Sequence, residues 1–498
     1  MFKFFKSGPE KVKDSPANRN KCLCPKCPSF PEGCSGEILY CAAGKSACVI
    51  NAKGCICDSC PIYFEYGLNQ LYYCDKTEAG ASGWAMRKQR PDEDGEFYKK
   101  ITDIKDLAQS GESHTVSMGS RKKMPFAFSD LHFIPAQIAR LPLNLEQPVA
   151  SGVIIGPAAQ KPLRLNTPIL ISGMSFGATS KNVKLVISRT AAKLGLGFNS
   201  GEGGILPEDL EARQYLIGQY ATGRFGVNEQ ILKQVAAVEI RFGQGAYPGK
   251  GSYLPAKKMT PEVAKTRGLK GGEASYSPAH HHDIATPEQL AAKIAWLKEI
   301  THGVPVGAKI GCGNLEADIK ILVDAGVDFV SIDGFGGGTG ATEAYVRENV
   351  GIPLLAALPR AHKTLANLKA KDKVSLIAGG GLRYASDFAK CLALGADAVY
   401  IGTAALIAIN CEQYRICQTG LCPTGVTTHD PALTKQLNVD EGVRKLTNFI
   451  QASTKEISNF ARITGKNDIK LLNPDDLVCL SLDLAKLAGL NWLNGKKY

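Results

Sequence analysis

The sequence predicts an α/β protein built around a (β/α)8 barrel, with a cysteine-rich, cluster- or zinc-binding module before it and a helical tail after it. Ten of the 16 cysteines lie in the first 75 residues. From about residue 167, short apolar runs that end in Gly, Ser or Asn alternate with helical patterns. After about residue 435, apolar residues recur with a helical period. The chain is therefore divided into a cysteine module (1–75), a connector (76–165), the barrel (166–435) and a helical C-terminal extension (436–498).

The cysteine module contains one pattern twice. Both copies read Cys-x-Cys-x-x-Cys-Pro, at Cys22–Pro28 and at Cys55–Pro61. Thiolates bind soft or borderline metals, and close spacing brings several of them onto one ion or cluster. The alternatives are iron–sulfur clusters, structural zinc, and disulfides or free thiols; we expect two [4Fe–4S] clusters, with zinc as the second choice. The candidate metal ligands are Cys22, Cys24, Cys27, Cys34, Cys41, Cys48, Cys55, Cys57, Cys60 and Cys74.

The positive charge is concentrated at the start of the chain. The formal net charge is +12, and seven Lys or Arg residues lie in the first 26 positions. This basic end favours an acidic redox partner such as a ferredoxin over nucleic acid, because the remaining basic residues are interspersed with acids. The sequence contains neither a run of about 18 apolar residues nor the apolar segment of a secretory signal. We therefore expect a cytoplasmic protein that does not insert into membranes.

The barrel prediction rests on eight apolar runs, each interpreted as a strand. They lie at Pro168–Ser172, Gly195–Asn199, Val238–Phe242, Val306–Ile310, Phe329–Ile332, Pro353–Ala357, Val374–Ala378 and Ala398–Ile401. Helical patterns lie between most of them, at Lys181–Leu194, Pro287–Glu299, Leu315–Ala325 and Ser386–Leu394. Eight such alternations favour a barrel over a doubly wound sheet, and in a barrel the loops after the strands form the active face.

Glycine-rich loops follow several of these runs. They read ISGMSFGA at 171–178, NSGEGG at 199–204, ATGRFGV at 221–227, QGAYPG at 244–249, SPAHHHDI at 277–284, GGTGA at 337–341, GGGL at 379–382 and GTAA at 402–405. A run of three cysteines then follows, at Cys411, Cys417 and Cys422. Together these motifs resemble the FMN-binding synthase domain of the glutamate synthase family, over roughly residues 165–460.

The resemblance implies an FMN site on these loops. Barrels commonly hold a phosphate after strands seven and eight, on backbone amides and a helix N-terminus. Lys309 is expected beside the flavin N1 and O2 region, where a cation would stabilise the reduced ring. Ring-edge contacts are expected from Ser172, Met174, Ser175 and Asn199. The expected phosphate and ribityl contacts are Asp333, Gly337, Gly338, Thr339, Gly379, Gly380, Gly381, Gly402 and Thr403.

The three cysteines after the last strand resemble the [3Fe–4S] site of the same family. Cys411, Cys417 and Cys422 supply three closely spaced thiolates, and the run holds no fourth cysteine. Because the run directly follows the loop after strand eight, the cluster is expected near the FMN.

Two departures from the family pattern concern the substrate. Glutamate synthases begin with an amidotransferase domain whose first mature residue is a nucleophilic cysteine, whereas this sequence begins Met-Phe-Lys. Ammonia is therefore expected to be free or to come from a separate subunit. In addition, Tyr247 replaces the lysine that grips the 2-oxoglutarate carboxylate in the family. Losing one charge-assisted bond would cost about 1.5–3 kcal/mol unless Lys250 or Arg241 substitutes for it.

The pocket residues Glu202 and Arg267 match the family pattern. We expect Glu202 to manage protons and Lys309 to tune the flavin, as the two catalytic residues. The expected substrate-binding residues are Gln244, Tyr247, Arg267 and Arg241.

The sequence thus predicts an FMN- and iron–sulfur-dependent oxidoreductase of glutamate synthase type. Electrons from ferredoxin or a similar donor would enter at the cysteine module, cross the three-cysteine cluster and reduce FMN. The reduced flavin would then reduce an imine formed from a 2-oxo acid, such as 2-oxoglutarate, and ammonia. One alternative is an N-methylglutamate synthase-like enzyme or another flavoenzyme acting on amines or imines. Another is an electron-transfer subunit without a small substrate. A homo-oligomer is expected in each case.

Overall fold

A computed structural model describes residues 11–31, 33, 36–68, 70–75 and 96–497, with residues 96–99 described by their backbone only. The chain divides into two compact units, Met1–Gln109 and Ser110–Tyr498. Cys34 and residues 76–95 of the predicted connector lie outside the described residues.

The N-terminal unit consists of short helices and turns. Its helices are Pro16–Lys21, Tyr40–Ala43, Pro61–Glu65 and Glu96–Ser110, and single 3-10 turns lie at Cys24–Lys26, Cys57–Ser59 and Tyr73–Asp75. Val12, Leu39 and Ile62 form its small apolar core. Apolar burial on this scale rarely stabilises a unit without cross-links, which bound metal or disulfides supply.

The C-terminal unit is built on a closed barrel of eight parallel strands, which confirms the predicted fold class. The strands are β1 (Ile169–Ile171), β2 (Phe198–Asn199), β3 (Leu216–Ala221), β4 (Ala237–Arg241), β5 (Val306–Gly311), β6 (Phe329–Asp333), β7 (Ser375–Gly379) and β8 (Ala398–Ile401). Each strand pairs with the next one in the chain, and β8 closes on β1 with Ile401 opposite Ile171. Nearly all strand residues are buried, as in other parallel sheets covered by helices.

Seven of the eight predicted strands coincide with barrel strands, and one prediction is wrong. Pro353–Ala357 lies at the start of a helix, Leu354–Asn367, whose buried face is the apolar run that suggested a strand. The strand that was missed is β3, which is buried along its whole length. Gly218 and Gln219 interrupt its apolar run, so it lacks the sequence signal of a buried strand. The loop at 244–249 therefore follows the fourth barrel strand, and Lys309 lies within the fifth.

The predicted helices after β1, before β5, after β5 and after β7 agree with the structure to within one residue at each end. The described helices of this unit are Lys181–Leu194, Glu229–Leu232, Pro261–Arg267, Pro287–Ile300, Leu315–Asp324, Ala344–Asn349, Leu354–Asn367, Ala385–Ala393, Thr403–Ile409, Pro431–Thr434, Val439–Ile463 and Leu482–Ala488. The long helix Val439–Ile463 packs against Lys181–Leu194, where Gly442 allows close contact with Val186. The C-terminal extension thus covers one side of the barrel.

Short strands form four small sheets outside the barrel in the described part of the chain. They pair Thr115–Val116 with Thr342–Glu343, Val153–Ile155 with Leu163–Leu165, Tyr253–Leu254 with Ser275–Tyr276, and Leu477–Cys479 with both Leu131–Phe133 and Asn491–Trp492. Leu477–Cys479 lies in a stretch whose periodicity predicted helix. A search of the described residues finds no helix that is long and apolar enough to cross a membrane.

Candidate functional site

A deep cavity opens at the carboxyl ends of the barrel strands. The cavity, with its open mouth included, encloses about 1280 Å³. This end of a barrel carries the active site in enzymes of this architecture. The predicted ligand residues that line it are Ser172, Met174, Ser175, Glu202, Arg241, Gln244, Tyr247, Arg267, Asp333, Gly337, Gly338, Thr339, Gly379, Gly380, Gly381, Gly402 and Thr403.

One wall of the cavity is made of the glycine-rich loops after β6, β7 and β8. A Cβ atom on Gly380, whose φ is +116°, would lie 2.6 Å from the backbone of Gly334. A Cβ atom on Gly338 would lie 2.8 Å from Thr403 Oγ1. Gly402 precedes the helix Thr403–Ile409 without a side-chain cap. The wall therefore presents backbone rather than side chains, as a phosphate site requires.

Lys309 lies at the floor of the barrel and is 4% exposed. Its Nζ lies 3.1 Å from Asp333 Oδ2 and donates a hydrogen bond to Ser172 Oγ at 3.3 Å. Burial opposes the charged form, but Asp333 and Glu239 outweigh it and raise the pKa of Lys309. Lys309 is thus an ammonium held directly behind two residues that line the cavity.

Asn199 does not line the cavity. Its Nδ2 donates to Glu239 Oε1 at 2.8 Å and lies 3.4 Å from the Tyr400 hydroxyl. Its Oδ1 accepts the Gly201 amide at 2.9 Å. These bonds place Asn199 in a polar network beneath the floor, so its predicted position at a ring edge is not supported by the geometry.

The wall opposite the glycine loops carries a buried carboxylate. Glu202 Oε2 accepts hydrogen bonds from Arg241 Nη2 at 2.7 Å and from the Ser252 hydroxyl, and its Oε1 accepts the Ser277 hydroxyl at 2.6 Å. Burial raises the pKa of a carboxyl, but Arg241 and the two serines outweigh it and lower the pKa of Glu202. Glu202 is therefore an anion at neutral pH, which suits it to hold Arg241 rather than to donate a proton.

Tyr247 accepts a hydrogen bond from the same arginine. Arg241 Nη1 donates to the Tyr247 hydroxyl at 2.8 Å, and both side chains are buried. Lys250 instead pairs with Glu343 and does not line the cavity. Of the two cations that the sequence offered as substitutes for the family lysine, only Arg241 is placed to do so.

Arg267 is a buried cation with neutral partners. It is 4% exposed, and its Nη2 donates to the carbonyl of Phe176 at 3.2 Å and lies 3.4 Å from Ser175 Oγ. Among the described residues, no carboxylate forms an ion pair with it. Burial lowers the pKa of Arg267 to about 10, which leaves it protonated at neutral pH. The Glu202 carboxylate acts on Arg267 only from beyond ion-pair distance. Because a buried charge without a directly paired counterion is costly, this end of the cavity favours an anionic ligand.

The three predicted cluster ligands of this unit, Cys411, Cys417 and Cys422, line a smaller cavity. The smaller cavity shares a wall with the larger one, formed by Met118, Leu406, Cys417 and Thr427. The thiols and the glycine-lined cavity are thus adjacent.

Several residues of the site were missed by the sequence analysis. Met118 comes from the stretch predicted as a connector, and its Sδ lies 3.8 Å from Cys417 Sγ. Lys258 is 2% exposed and donates to the carbonyls of Ala178 and Cys417 at 2.7 and 3.3 Å. Gln219 lies on the missed strand β3. None of these stands in a motif, so only the folded arrangement reveals them.

Eight of the ten predicted ligands in the N-terminal unit line one cavity: Cys22, Cys24, Cys27, Cys41, Cys55, Cys57, Cys60 and Cys74. All eight are free thiols. Cys48 is disulfide-bonded, which corrects its prediction as a ligand because a disulfide sulfur carries no thiolate. Cys34 lies outside the described residues. Within the described ranges, no three His, Cys, Asp or Glu side chains are grouped tightly enough to hold a single metal ion.

The chain matches known proteins over both units. The family model for a conserved region in glutamate synthase matches residues 98–467, and one described as a protein of unknown function (DUF2769) matches residues 22–75. The chain is 38% identical over 420 residues to a glutamate synthase large subunit-like protein of Rhizobium meliloti (strain 1021), covering 80% of this chain and 95% of that one.

Two further relatives each match about three fifths of the chain. Archaeal glutamate synthase (NADPH) of Methanocaldococcus jannaschii is 41% identical over 312 residues, covering 62% of this chain and 61% of that one. Ferredoxin-dependent glutamate synthase of Pyropia yezoensis is 32% identical over 338 residues, covering 61% of this chain and 22% of that one. The chain therefore belongs to the glutamate synthase family of oxidoreductases.

Proposed function

We propose that the chain is an FMN- and iron–sulfur-dependent enzyme that reduces an imine formed from a 2-oxo acid, such as 2-oxoglutarate, and ammonia. One observation carries the proposal: one cavity joins glycine loops suited to a phosphate with a buried arginine suited to a carboxylate, and it shares a wall with the smaller cavity that the three cysteine thiols line. When bound, FMN would supply hydride transfer and a [3Fe–4S] cluster one-electron transfer.

The residues present fit FMN in the cavity. The loops around Gly338, Gly380 and Gly402 would hold its phosphate through backbone groups, since a Cβ atom at Gly338 or Gly380 would lie within 2.8 Å of neighbouring atoms. Ser172, Met174 and Ser175 would contact the ring. The Lys309 ammonium, paired with Asp333, would favour the negative charge of the reduced ring.

The substrate acid would lie toward the arginines. Arg267 would pair with its carboxylate, because this cation lines the cavity and has only neutral partners in the described residues. Arg241 would contribute a second positive charge, oriented by Glu202 and Tyr247. Gln244, whose Oε1 lies 3.5 Å from Arg241 Nη1, would complete this end of the site. Glu202 would act as a positioning residue.

Electrons would reach the barrel unit through the thiols of the N-terminal unit. A ferredoxin or a similar acidic redox protein would be the donor, as the basic start of the chain and the name of the Pyropia yezoensis relative both suggest. The names of the archaeal-type relatives specify NADPH, which would require a further redox partner for this chain. Ammonia would come from solution or from a separate subunit.

Tyr247 favours a second candidate function. A tyrosine in place of the family lysine removes one positive charge from the substrate loop, which would relax the requirement for a dicarboxylate. An N-methylglutamate synthase-like reaction, with an amine replacing ammonia, would use the same residues. A pure electron-transfer role would leave Arg267 without a ligand.

A product assay tests the proposal. Anaerobic enzyme with chemically reduced ferredoxin is given 2-oxoglutarate and either ammonium or methylamine, and the amino acids formed are identified by mass spectrometry. Glutamate formed only with ammonium supports the main proposal, and a strong preference for methylamine supports the second candidate. No amino acid from either mixture, while the flavin still passes electrons to a protein acceptor, would leave only the relay role.

The variant Arg267→Gln tests the role of the unpaired cation. Loss of one charge-assisted bond should raise the KM for 2-oxoglutarate by roughly tenfold to 100-fold. The KM for ammonium should change little, and FMN content should be retained. An unchanged KM for the acid would remove Arg267 from the substrate site.

A further inference from the structure

The two cysteine runs of the N-terminal unit follow the same backbone path. Cys24–Lys26 and Cys57–Ser59 are both single 3-10 turns. In each run the amide of the third cysteine donates to the carbonyl of the second at 3.0 Å, from Cys27 to Cys24 and from Cys60 to Cys57. The duplication seen in the sequence is therefore also a structural repeat.

The third cysteine of each run contacts the other run. Cys27 Sγ lies 3.6 Å from the carbonyl of Gly54, the residue that precedes Cys55. In the same way, Cys60 Sγ lies 4.0 Å from the carbonyl of Lys21, the residue that precedes Cys22. Each third thiol thus lies beside the first cysteine of the opposite run.

The third cysteine of one run and the first cysteine of the other form a pair, Cys22 with Cys60 and Cys27 with Cys55. Near each pair lies one further cysteine from outside the runs. Cys22, Cys41 and Cys60 all pack around the core residues Leu39 and Ile62. These contacts bring Cys41 to the pair formed by Cys22 and Cys60.

Cys74 occupies the corresponding place on the other side. Tyr72 stands two residues before Cys74, and its amide donates a hydrogen bond to Cys55 Sγ at 3.2 Å. Cys27, Cys55, Tyr73 and Cys74 also line the same cavity. Cys27, Cys55 and Cys74 are therefore neighbours.

The second cysteine of each run lies beside the first cysteine of the same run. The amide of Cys24 lies 3.4 Å from Cys22 Sγ. The Cys24 thiol lies against the backbone of Leu39 and Tyr40, directly before Cys41. Cys57 lies beside Cys55 and against the backbone of Tyr72 and Tyr73, directly before Cys74.

We propose that the N-terminal unit holds two four-thiolate metal sites with crossed ligands, each suited to a [4Fe–4S] cluster. One site is formed by Cys22, Cys24, Cys41 and Cys60, and the other by Cys27, Cys55, Cys57 and Cys74. Each run gives its first two ligands to one site and its third to the other. In two-cluster ferredoxins the last cysteine of a run likewise binds the other cluster. The choice of an iron–sulfur cluster rests on the proposed role of this unit in electron input and on the spacing of the thiols, whereas the grouping of ligands does not depend on the proposed role.

The spacing of the thiols favours clusters over zinc. Zinc–sulfur bonds of about 2.3 Å require four sulfurs roughly 3.8 Å apart around one ion. In the described residues no three potential ligands are that compact, although eight thiols line one cavity. A cluster, in which each thiolate binds its own iron atom, accepts the wider spacing.

Two double variants of the full chain, which share one substitution, test the grouping. The first combines Cys41→Ser with Cys60→Ser, both assigned to one site. The second combines Cys57→Ser with Cys60→Ser, which are neighbours in sequence but assigned to different sites. Iron, zinc and acid-labile sulfide are counted on anaerobically purified protein, and FMN content reports that the barrel unit is intact.

The wild-type chain should contain about eleven iron atoms, the first variant about seven and the second about three. The reverse order for the two variants, or no loss from either, overturns the grouping. If both variants lose all the iron of this unit, a second measurement tests the grouping. The metal is removed from the wild-type chain by oxidation, and the disulfides that form are identified. Disulfides that join different segments within one assigned set, such as Cys41–Cys60 or Cys27–Cys74, support the grouping. Disulfides that join the third cysteine of a run to another cysteine of the same run, such as Cys24–Cys27 or Cys57–Cys60, contradict it.

The same experiment separates the grouping from the proposed function. If the unit binds two zinc ions instead of iron, its role in electron input fails. The first variant should then lose one zinc ion and the second variant two, so the grouping is still tested.

Discussion

At the scale of single residues, the buried Tyr247 hydroxyl is a hydrogen-bond acceptor for the buried Arg241. Tyr247→Phe would remove the acceptor that Arg241 Nη1 uses at 2.8 Å. Leaving a buried guanidinium donor unpaired should lower the free energy of unfolding by about 1–3 kcal/mol. Denaturant unfolding of the variant measures this, with Tyr384→Phe, at a tyrosine that is 73% exposed, as the control. Equal stability of the two variants would show that the hydroxyl does not hold Arg241.

His281 makes stability depend on pH. Burial and the positive charge of Arg224 lower the pKa of His281 to about 4. The unfolded imidazole takes up a proton below its ordinary pKa of about 6.5, whereas the folded one resists protonation. This part of the stability is therefore present above pH 6.5 and is lost as the pH falls toward 4, by at most roughly 3 kcal/mol.

As the pH falls from 7 to 4.5, the free energy of unfolding of the variant His281→Gln should decrease less than that of the wild type. The neighbouring exposed residue supplies a matched control, His282→Gln, which should follow the wild-type curve. Urea unfolding at a series of pH values measures all three proteins. Parallel curves for His281→Gln and the wild type would show that this histidine does not stay neutral in the folded state.

At the scale of elements, the glycine loops were predictable and the missed strand was not. Loops with several glycines after apolar runs have a local signal, because backbone must approach a ligand there. The strand β3 contains Gln219, whose Nε2 donates a hydrogen bond to Glu239 Oε1 at 3.0 Å inside the barrel. A polar residue whose hydrogen bonds are made inside the barrel interrupts the apolar run. Such a strand therefore cannot be recognised from the sequence pattern alone.

The loop after β7 gives a sharp test of the phosphate wall. In Gly380→Ala the new methyl would meet the backbone of Gly334 at 2.6 Å, and FMN affinity should fall at least tenfold, about 1.4 kcal/mol. Gly326→Ala is the control, since Gly326 also has a positive φ of +86° but nothing lies within 4 Å of its added Cβ. FMN titration followed by fluorescence quenching compares the two. Equal affinities would mean that the Gly380 loop does not contact the flavin.

At the scale of the whole molecule, the sequence predicted the components of the site better than their partners. Glu202, Arg241 and Arg267 were expected in one pocket, and they line one cavity. Their ion-pairing could not be predicted, because the serines and Arg241 that keep Glu202 charged come from separate parts of the chain. Likewise, the repeated cysteine pattern indicated metal, but only the folded unit shows which thiols are neighbours.

The basic start of the chain predicts a salt-sensitive reaction with an acidic donor. Raising the ionic strength from 50 to 300 mM should slow electron uptake from reduced ferredoxin roughly severalfold, because salt screens the attraction between the basic chain and the acidic donor. Reduced methyl viologen, a small cation, should show no such loss. Stopped-flow reduction of the chain by each donor measures the difference, and equal salt dependence would argue against a charged docking surface.

The central claim is that flavin in the barrel reduces an imine made from a 2-oxo acid and ammonia. The most direct measurement is anaerobic stopped-flow absorbance of the fully reduced protein mixed with 2-oxoglutarate, with ammonium, or with both. Rapid reappearance of the oxidised flavin spectrum is expected only when both are present. Flavin that stays reduced with every combination of 2-oxo acid and amine, yet is oxidised by a redox protein, would contradict it.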